Sequence, residues 1–367
     1  MLSLKFIEFY NNLSDKHITF DLSSKCCFKC VYCPFQTAKT KPRSKDYIDF
    51  RLVKKVVNEI SKYNIFYKVI VLAVSGEALL HPKIKEIFTF LFEKNYKNRF
   101  FDLLSINTNA VYLNKKIVEL INSYLLKGYG RIHYTLSINA ASRNSFKKIK
   151  GKDLFNLTYN NTRYLLEQKK NLKLGFKQVI LLQYLIHDYS LAEASKFLNY
   201  WRSFFNKNRM EFAVDYEMPV MGGHNVIIFK RLYMDDQTKY DKMHKQAIKN
   251  LGLDNKEMDL QKYVPAFHKV ERQPCGSLWL SPIIRVDGTL SPCLQDTMDE
   301  EKIGDLKEKS FLDLWFSEKA NRLRMLHINK QFDKIKICEN CNYYSGPGVN
   351  SEEIKEFLHI LNSQSKN

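Results

Sequence analysis

Three things are scarce in this 367-residue chain, and each scarcity removes a class of function. Long apolar runs are absent: the longest candidate, Val69–Val74, has the length of a buried strand, far short of a membrane span. The first residues, Met1 to Phe6, soon meet Glu8 and contain neither a long apolar core nor a small-residue cleavage site, so the expectation is a soluble, cytoplasmic protein with no membrane partner. Acidic residues are few, 39 against 58 Lys and Arg, which leaves a net charge of +19. Such an excess invites a nucleic-acid reading. The positive charge is spread along the chain, however, and Lys, Asn, Ile, Tyr and Phe are all plentiful, as an AT-rich genome would produce. A generally basic surface is the simpler reading, and attraction to a phosphorylated or nucleotide-linked small molecule comes next. Cysteine is missing from residue 34 to residue 274: all eight stand in two groups, four within 26–33 and four at 275, 293, 338 and 341. Disulfide frameworks are seldom so clustered, and a reducing compartment with metal centres fits better.

What is present in the first group is chemically specific. Cys26, Cys30 and Cys33 stand at spacing C-x3-C-x2-C within Lys25-Cys26-Cys27-Phe28-Lys29-Cys30-Val31-Tyr32-Cys33-Pro34. Three thiolates in that register can wrap one face of a cubane iron–sulfur cluster, which wants four ligands. One iron is then left open for a substrate or cosubstrate. A zinc site would want four donors closed as a tetrahedron. Cys27 is adjacent to Cys26 and poorly placed to share a small ion with it, and the nearest histidine is His17. Cys27 reads as a packed neighbour.

The rest of the chain alternates. Residues 17–22 read as a strand leading into the cysteine loop, and Leu52, Val53, Val56, Val57 and Ile60 mark one helix face. Strands at 67–74, 100–107, 132–138, 173–182 and 210–218 are separated by helices at 82–95, 114–127, 154–170 and 191–206. Strict alternation predicts an α/β fold with a mostly parallel sheet, doubly wound or closed as a barrel, with its site at the C-terminal ends of the strands. Residues 219–272 have little strand signal and read as a bridge, in which His224 is an unpartnered histidine.

The cysteine spacing, with an aromatic just before the last Cys, resembles the signature of the radical S-adenosylmethionine (SAM) enzymes. That resemblance implies a partial (β/α)6 TIM-like barrel, a [4Fe-4S] cluster on Cys26, Cys30 and Cys33, and SAM chelating the open iron. Ser75-Gly76-Glu77-Ala78 resembles the family's Gly-Gly-Glu-Pro segment, with Ser75 and Ala78 as departures. By position the backbone at Ser75, Gly76 and Glu77 would meet the methionyl amino group, Gly76 allowing close approach. Asn107-Thr108-Asn109-Ala110 is similar to the family's Thr-Asn-Gly turn, which places Asn107 at the cofactor. The segment ending Ser137-Ile138-Asn139 resembles Ser-Leu-Asp-Gly, making Ser137 a ribose or carboxylate contact. Lys150 stands near where relatives carry an Arg, and Tyr32 is placed to lie beside the adenine.

Cys275, Cys293, Cys338 and Cys341 form the second group. Ile283–Leu290 holds an Asp287-Gly288 turn between β-formers, a strong hairpin signal that would return Cys293 toward Cys275. Alone, such a set suits a zinc ribbon. Beside the first motif it resembles the SPASM/twitch module of radical SAM enzymes, which implies one auxiliary [4Fe-4S] cluster, since no cysteine follows Cys341. The expected layout is a barrel at 1–230, a helical bridge at 231–272, the β-hairpin/helix module at 273–345 and a tail at 346–367.

The resemblance implies reductive SAM cleavage to a 5'-deoxyadenosyl radical, hydrogen abstraction, and an external one-electron reductant such as flavodoxin or ferredoxin. Oxidation of a hydroxyl-bearing carbon in a sugar, aminocyclitol or nucleotide-linked molecule is the leading expectation, with epimerisation next. Asp215 and Glu217 are candidate bases, and Cys27 is the thiol left over as a hydrogen donor. A maturase of ribosomally made peptides is the alternative enzyme. A zinc-stabilised nucleic-acid binder is the alternative of another class.

Overall fold

A computed structural model describes residues 4–36, 47–216, 224–231, 237–252, 272–341 and 349–364. The chain divides into two compact units: Met1–Lys25, Ala38–Leu104 and Phe267–Asn367 form the first, Cys26–Thr37 and Ser105–Ala266 the second. Strands are β1 (His17–Phe20), β2 (Tyr67–Val71), β3 (Phe101–Thr108), β4 (Arg131–Ser137), β5 (Gln178–Ile186), β6 (Phe212–Tyr216), β7 (Asn225–Arg231), β8 (Ile283–Ile284), β9 (Thr289–Ser291) and β10 (Gly304–Asp305).

In the first unit β1 pairs parallel with β2 on one side and with β8 on the other, Thr19 opposite Ile283. The predicted hairpin is there: β8 and β9 are antiparallel, β10 follows on β9, and Gly288 adopts φ 91° in the connecting turn. The hairpin thus covers the free edge of β1, satisfying a ladder that would otherwise be open to another chain. Helix Phe50–Lys62 buries the expected stripe of Leu52, Val53, Val56, Val57 and Ile60, and Asp49 caps its first turn.

Residues 346–367, expected as a tail, contain helix Ser351–Gln364. Its Phe357 packs on Phe6 and Phe9 of helix Leu4–Asn12 at 6.0 and 5.9 Å between ring centroids. Neither helix was expected from sequence. Each hides an apolar face that gains its stability from tertiary packing, Phe6 also stacking on Phe316 at 5.0 Å and Phe357 meeting Trp279 at 6.1 Å.

In the second unit the strand order is β4-β5-β7-β6, every pair parallel. Here the structure adds a strand to those expected. Residues 225–231, assigned to a strand-poor bridge, form β7 and insert between β5 and β6. The run Val226-Ile227-Ile228-Phe229 is an apolar segment of the kind a sheet buried on both faces requires, and all four side chains are buried. Strand β5 also begins later than expected, because Gly175–Lys177 forms a 3-10 turn at what looked like its start.

Candidate active site and metal centres

The first cysteine group is held by a helix that sequence reading did not find. Helix Arg143–Lys150 starts at a capping box on Ser142 and ends at Gly151 in the left-handed region, φ 76°. Its last carbonyls lack intrahelical partners. They accept from the cysteine loop instead: Val31 N–H donates to Ile149 O and Lys29 N–H to Lys150 O, both at 3.0 Å. Phe28 anchors the loop in an apolar cluster with Val111, Ala140, Phe146 and Ile149, against which Cys26, Cys27 and Cys30 pack.

Around these thiols stand polar groups from the strand ends. Asn109 Nδ2 donates to Cys27 Sγ at 3.5 Å and approaches Cys26 Sγ at 3.8 Å. Asn109 belongs to the same turn as Asn107, the position that the resemblance places at the cofactor, and Asn107 is exposed on β3. Lys150, 2% exposed, donates from Nζ to Ser137 O at 2.6 Å. Burial works against its cation, but neighbouring Tyr32, Cys30 and Cys26 outweigh it and hold the lysine pKa above its usual value. The Tyr32 hydroxyl accepts from Asn139 Nδ2 at 2.6 Å, and burial pushes the phenol up to about 12. The hydrogen bond with Cys27, helped by the Phe28 amide, brings Cys26 down to about 6 against the cost of burial, whereas burial raises Cys30. The loop therefore carries a ready thiolate, the form that ligates metal.

Register places one further candidate. Ser137 pairs with Gln183, Gln183 with Ile228, and Ile228 with Asp215. The four lie in one row across β4, β5, β7 and β6, and residues in direct register face the same side of a sheet. Asp215 is half-buried in that row; Glu217 lies outside the described residues. His224 is exposed, just before β7.

In the first unit the Gly-Glu segment is built against the end of β1. Ser75 N–H donates to Asp21 Oδ1 at 3.0 Å, and the Ser75 hydroxyl bonds Oδ2 of the same carboxylate. A Cβ on Gly76 would stand 2.4 Å from Lys25 O and 2.6 Å from Ser23 O, so only glycine fits the backbone there. Glu77 is buried, its Oε1 accepting from Leu79 N at 3.1 Å. The carboxylate thus caps the 3-10 turn Ala78–Leu80. Asp21, which does this anchoring, carried no motif signal.

Also in the first unit, Cys275, Cys293, Cys338 and Cys341 form a second set of free thiols. Burial first, then repulsion from fellow cysteines of the set, pushes Cys293 and Cys338 up to about 12. Burial and mutual repulsion keep such thiols protonated unless a nearby positive charge offsets both. Arg272 Nη1 donates to Cys338 O at 2.8 Å, and buried Arg285 donates to Cys293 O at 3.1 Å. Among the described residues no three His, Cys, Asp or Glu side chains converge on a single-ion point. Thiolate is the usual protein ligand of iron–sulfur clusters, and each group offers at least three.

Comparisons agree with this donor chemistry. The family model described as the radical SAM superfamily matches residues 21–193, and that of the iron–sulfur cluster-binding SPASM domain matches residues 275–342. The antilisterial bacteriocin subtilosin biosynthesis protein AlbA of Bacillus subtilis is 25% identical over 135 residues, 37% of this chain. The match spans only 27% of that relative's length. Among solved structures, anSMEcpe with bound AdoMet aligns at TM-score 0.56 and 15% identity, covering 96% of this chain and 95% of the other. Streptococcus suis SuiB bound to S-adenosylmethionine aligns at TM-score 0.53 and 16% identity, covering 86% and 69%. These two are likenesses of fold. With the two family models matched over the two cysteine groups, the chain carries a radical SAM domain over residues 21–193 and an iron–sulfur cluster-binding SPASM domain over residues 275–342, and takes [4Fe-4S] clusters and SAM as its cofactors.

Proposed function

We propose that this chain is a radical SAM oxidoreductase that dehydrogenates a hydroxyl-bearing carbon of a small molecule. When bound, the first cluster and SAM supply a 5'-deoxyadenosyl radical that removes a hydrogen atom, and the auxiliary cluster supplies a one-electron acceptor. The observation that carries the oxidative reading is the second thiol set. Four cysteines saturate a four-iron centre, and a saturated centre suits electron transfer and not substrate ligation.

Cys26, Cys30 and Cys33 would hold the first cluster, and Cys275, Cys293, Cys338 and Cys341 the auxiliary one. The Ser75 amide and hydroxyl are both engaged by Asp21, so carbonyls of the Ser75–Glu77 segment are what would receive the methionyl ammonium. Lys150, kept cationic and already bonded to Ser137 O, would meet a carboxylate as a point charge. Asn107 and Ser137 would contribute at the cofactor, and Tyr32 would lie beside the adenine. Asp215, in register with Ser137, would take the hydroxyl proton, with Glu217 as the other candidate base; hydrogen atom, proton and electron together leave a ketone. Cys27, hydrogen-bonded by Asn109 and packed on the loop, is a poor hydrogen donor for the epimerase variant. A flavodoxin or ferredoxin would deliver the initiating electron.

The test is anaerobic iron and sulfide analysis with a SAM-cleavage assay on wild type and Cys30→Ala. About eight irons per chain are expected, about four in the variant, with cleavage lost. Zinc in either cysteine group would end this reading. A second reading, peptide maturation, draws on the AlbA match and on anSMEcpe solved with a bound Cp18Cys peptide at TM-score 0.54. A short precursor-peptide reading frame beside the gene, modified by the enzyme with 5'-deoxyadenosine release, would favour it.

A further inference from the structure

His327 lies on helix Glu318–Ile328 and is fully buried. Its two ring nitrogens do different things. Nδ1 accepts from Cys275 N–H at 3.1 Å, and Nε2 stands 3.4 Å from Cys338 Sγ. A nitrogen that accepts an amide proton carries none itself. A neutral imidazole bears one proton, so it must sit on Nε2, aimed at the sulfur. Phe332 closes against the ring edge-on at 5.0 Å, so burial and packing hold this orientation. One histidine thus links the backbone of one ligand cysteine to the side chain of another, over a gap of more than fifty residues in sequence.

We infer that His327 donates an Nε2–H hydrogen bond to the Cys338 thiolate and thereby sets the reduction potential of the auxiliary centre. This rests on Cys338 being a ligand of that centre. A donor to a ligand sulfur draws charge away from the cluster and favours its reduced form, and hydrogen bonds to sulfur are among the levers by which proteins set such potentials. The Cys275 amide is the device that keeps the proton on the useful nitrogen. His327 is a positioning residue: it touches neither substrate nor SAM and acts through Cys338. Arg272 and Arg285, which donate to the carbonyls of Cys338 and Cys293, add positive charge in the same sense.

The experiment uses the full chain carrying Cys30→Ala, so that the auxiliary centre is read alone by electron paramagnetic resonance during a redox titration. His327→Phe keeps the ring and loses the donor; His327→Gln keeps an acceptor and a donor on one side chain. The Phe variant should hold about four irons. At the unsubstituted protein's midpoint its reduced-to-oxidised ratio should fall about tenfold, which for a one-electron couple is 59 mV to more negative potential. Gln should restore most of the shift. An unchanged midpoint in an iron-loaded Phe variant overturns the inference and leaves His327 a packing residue. Zinc, or no iron, in the starting protein overturns the ligand assignment itself, a separate failure. Should the Phe variant not assemble, 15N-histidine labelling decides. A nitrogen coupling to the reduced centre that disappears in His327→Gln supports the bond, and no coupling in the histidine-containing protein refutes it.

Discussion

At the scale of single residues, the departures from the family pattern have physical consequences. Ala110 replaces the glycine of the Thr-Asn-Gly turn, yet keeps φ 64°, in the region glycine favours. An L-residue there costs about 1–2 kcal/mol, while glycine returns about 0.5–1 kcal/mol of that as extra freedom of the unfolded chain. Ala110→Gly should therefore stabilise the protein by up to about 1 kcal/mol, seen as a rise of a few degrees in a thermal melt; a lower melting point would contradict the strain. His133 offers a pH signature. Burial, then the charge of Lys230, brings its pKa down from 6.5 to about 4. The unfolded chain takes up this proton first, so stability is complete above pH 6.5 and is lost as pH falls toward 4. Between pH 7 and pH 5 the loss should be about 2 kcal/mol. His133→Gln should flatten that part of the urea-midpoint profile, and identical profiles for the two proteins would refute the assignment.

At the scale of elements, the site depends on how loops are fastened. The Gly76 segment lies so close to Ser23–Lys25 that an added methyl would collide with backbone atoms, which cannot swing aside as a side chain can. Gly76→Ala should cost about 1–3 kcal/mol and lower SAM cleavage at least tenfold with iron content retained; normal cleavage would show that the close approach is incidental. Helix Arg143–Lys150 fastens the cysteine loop through carbonyls at its C-terminus. Legibility differs sharply between these elements. The hairpin about Asp287-Gly288 and the buried stripe of helix Phe50–Lys62 were readable, because turn chemistry and helical period are local properties. Helix Arg143–Lys150 was not, since most of its eight residues are polar and it is stabilised by its Ser142 cap and by loop amides from far away in sequence. Strand β7 was obscured by the polar residues around it.

At the scale of the whole molecule, the proposed reaction uses both thiol sets. With the second set broken by Cys338→Ala, the first should still cleave SAM while oxidised product falls to background and iron drops by about half. Product formed at the wild-type rate would remove the auxiliary centre from the chemistry. Among the described residues no helix is long and apolar enough to cross a membrane, as the lack of long apolar runs had suggested.

The sequence by itself determined the donor chemistry and the class of fold. Cysteine spacing sets which thiolates can share a cluster over a span of a few residues, and alternating apolar periods set strands against helices. Tertiary structure alone decided the neighbours of those donors. Asp21 beneath Ser75, Asn109 at the Cys26–Cys27 pair and His327 between Cys275 and Cys338 are ordinary residues in sequence. Their roles arise where distant segments meet, because hydrogen bonds and burial act through space and leave no periodic trace along the chain.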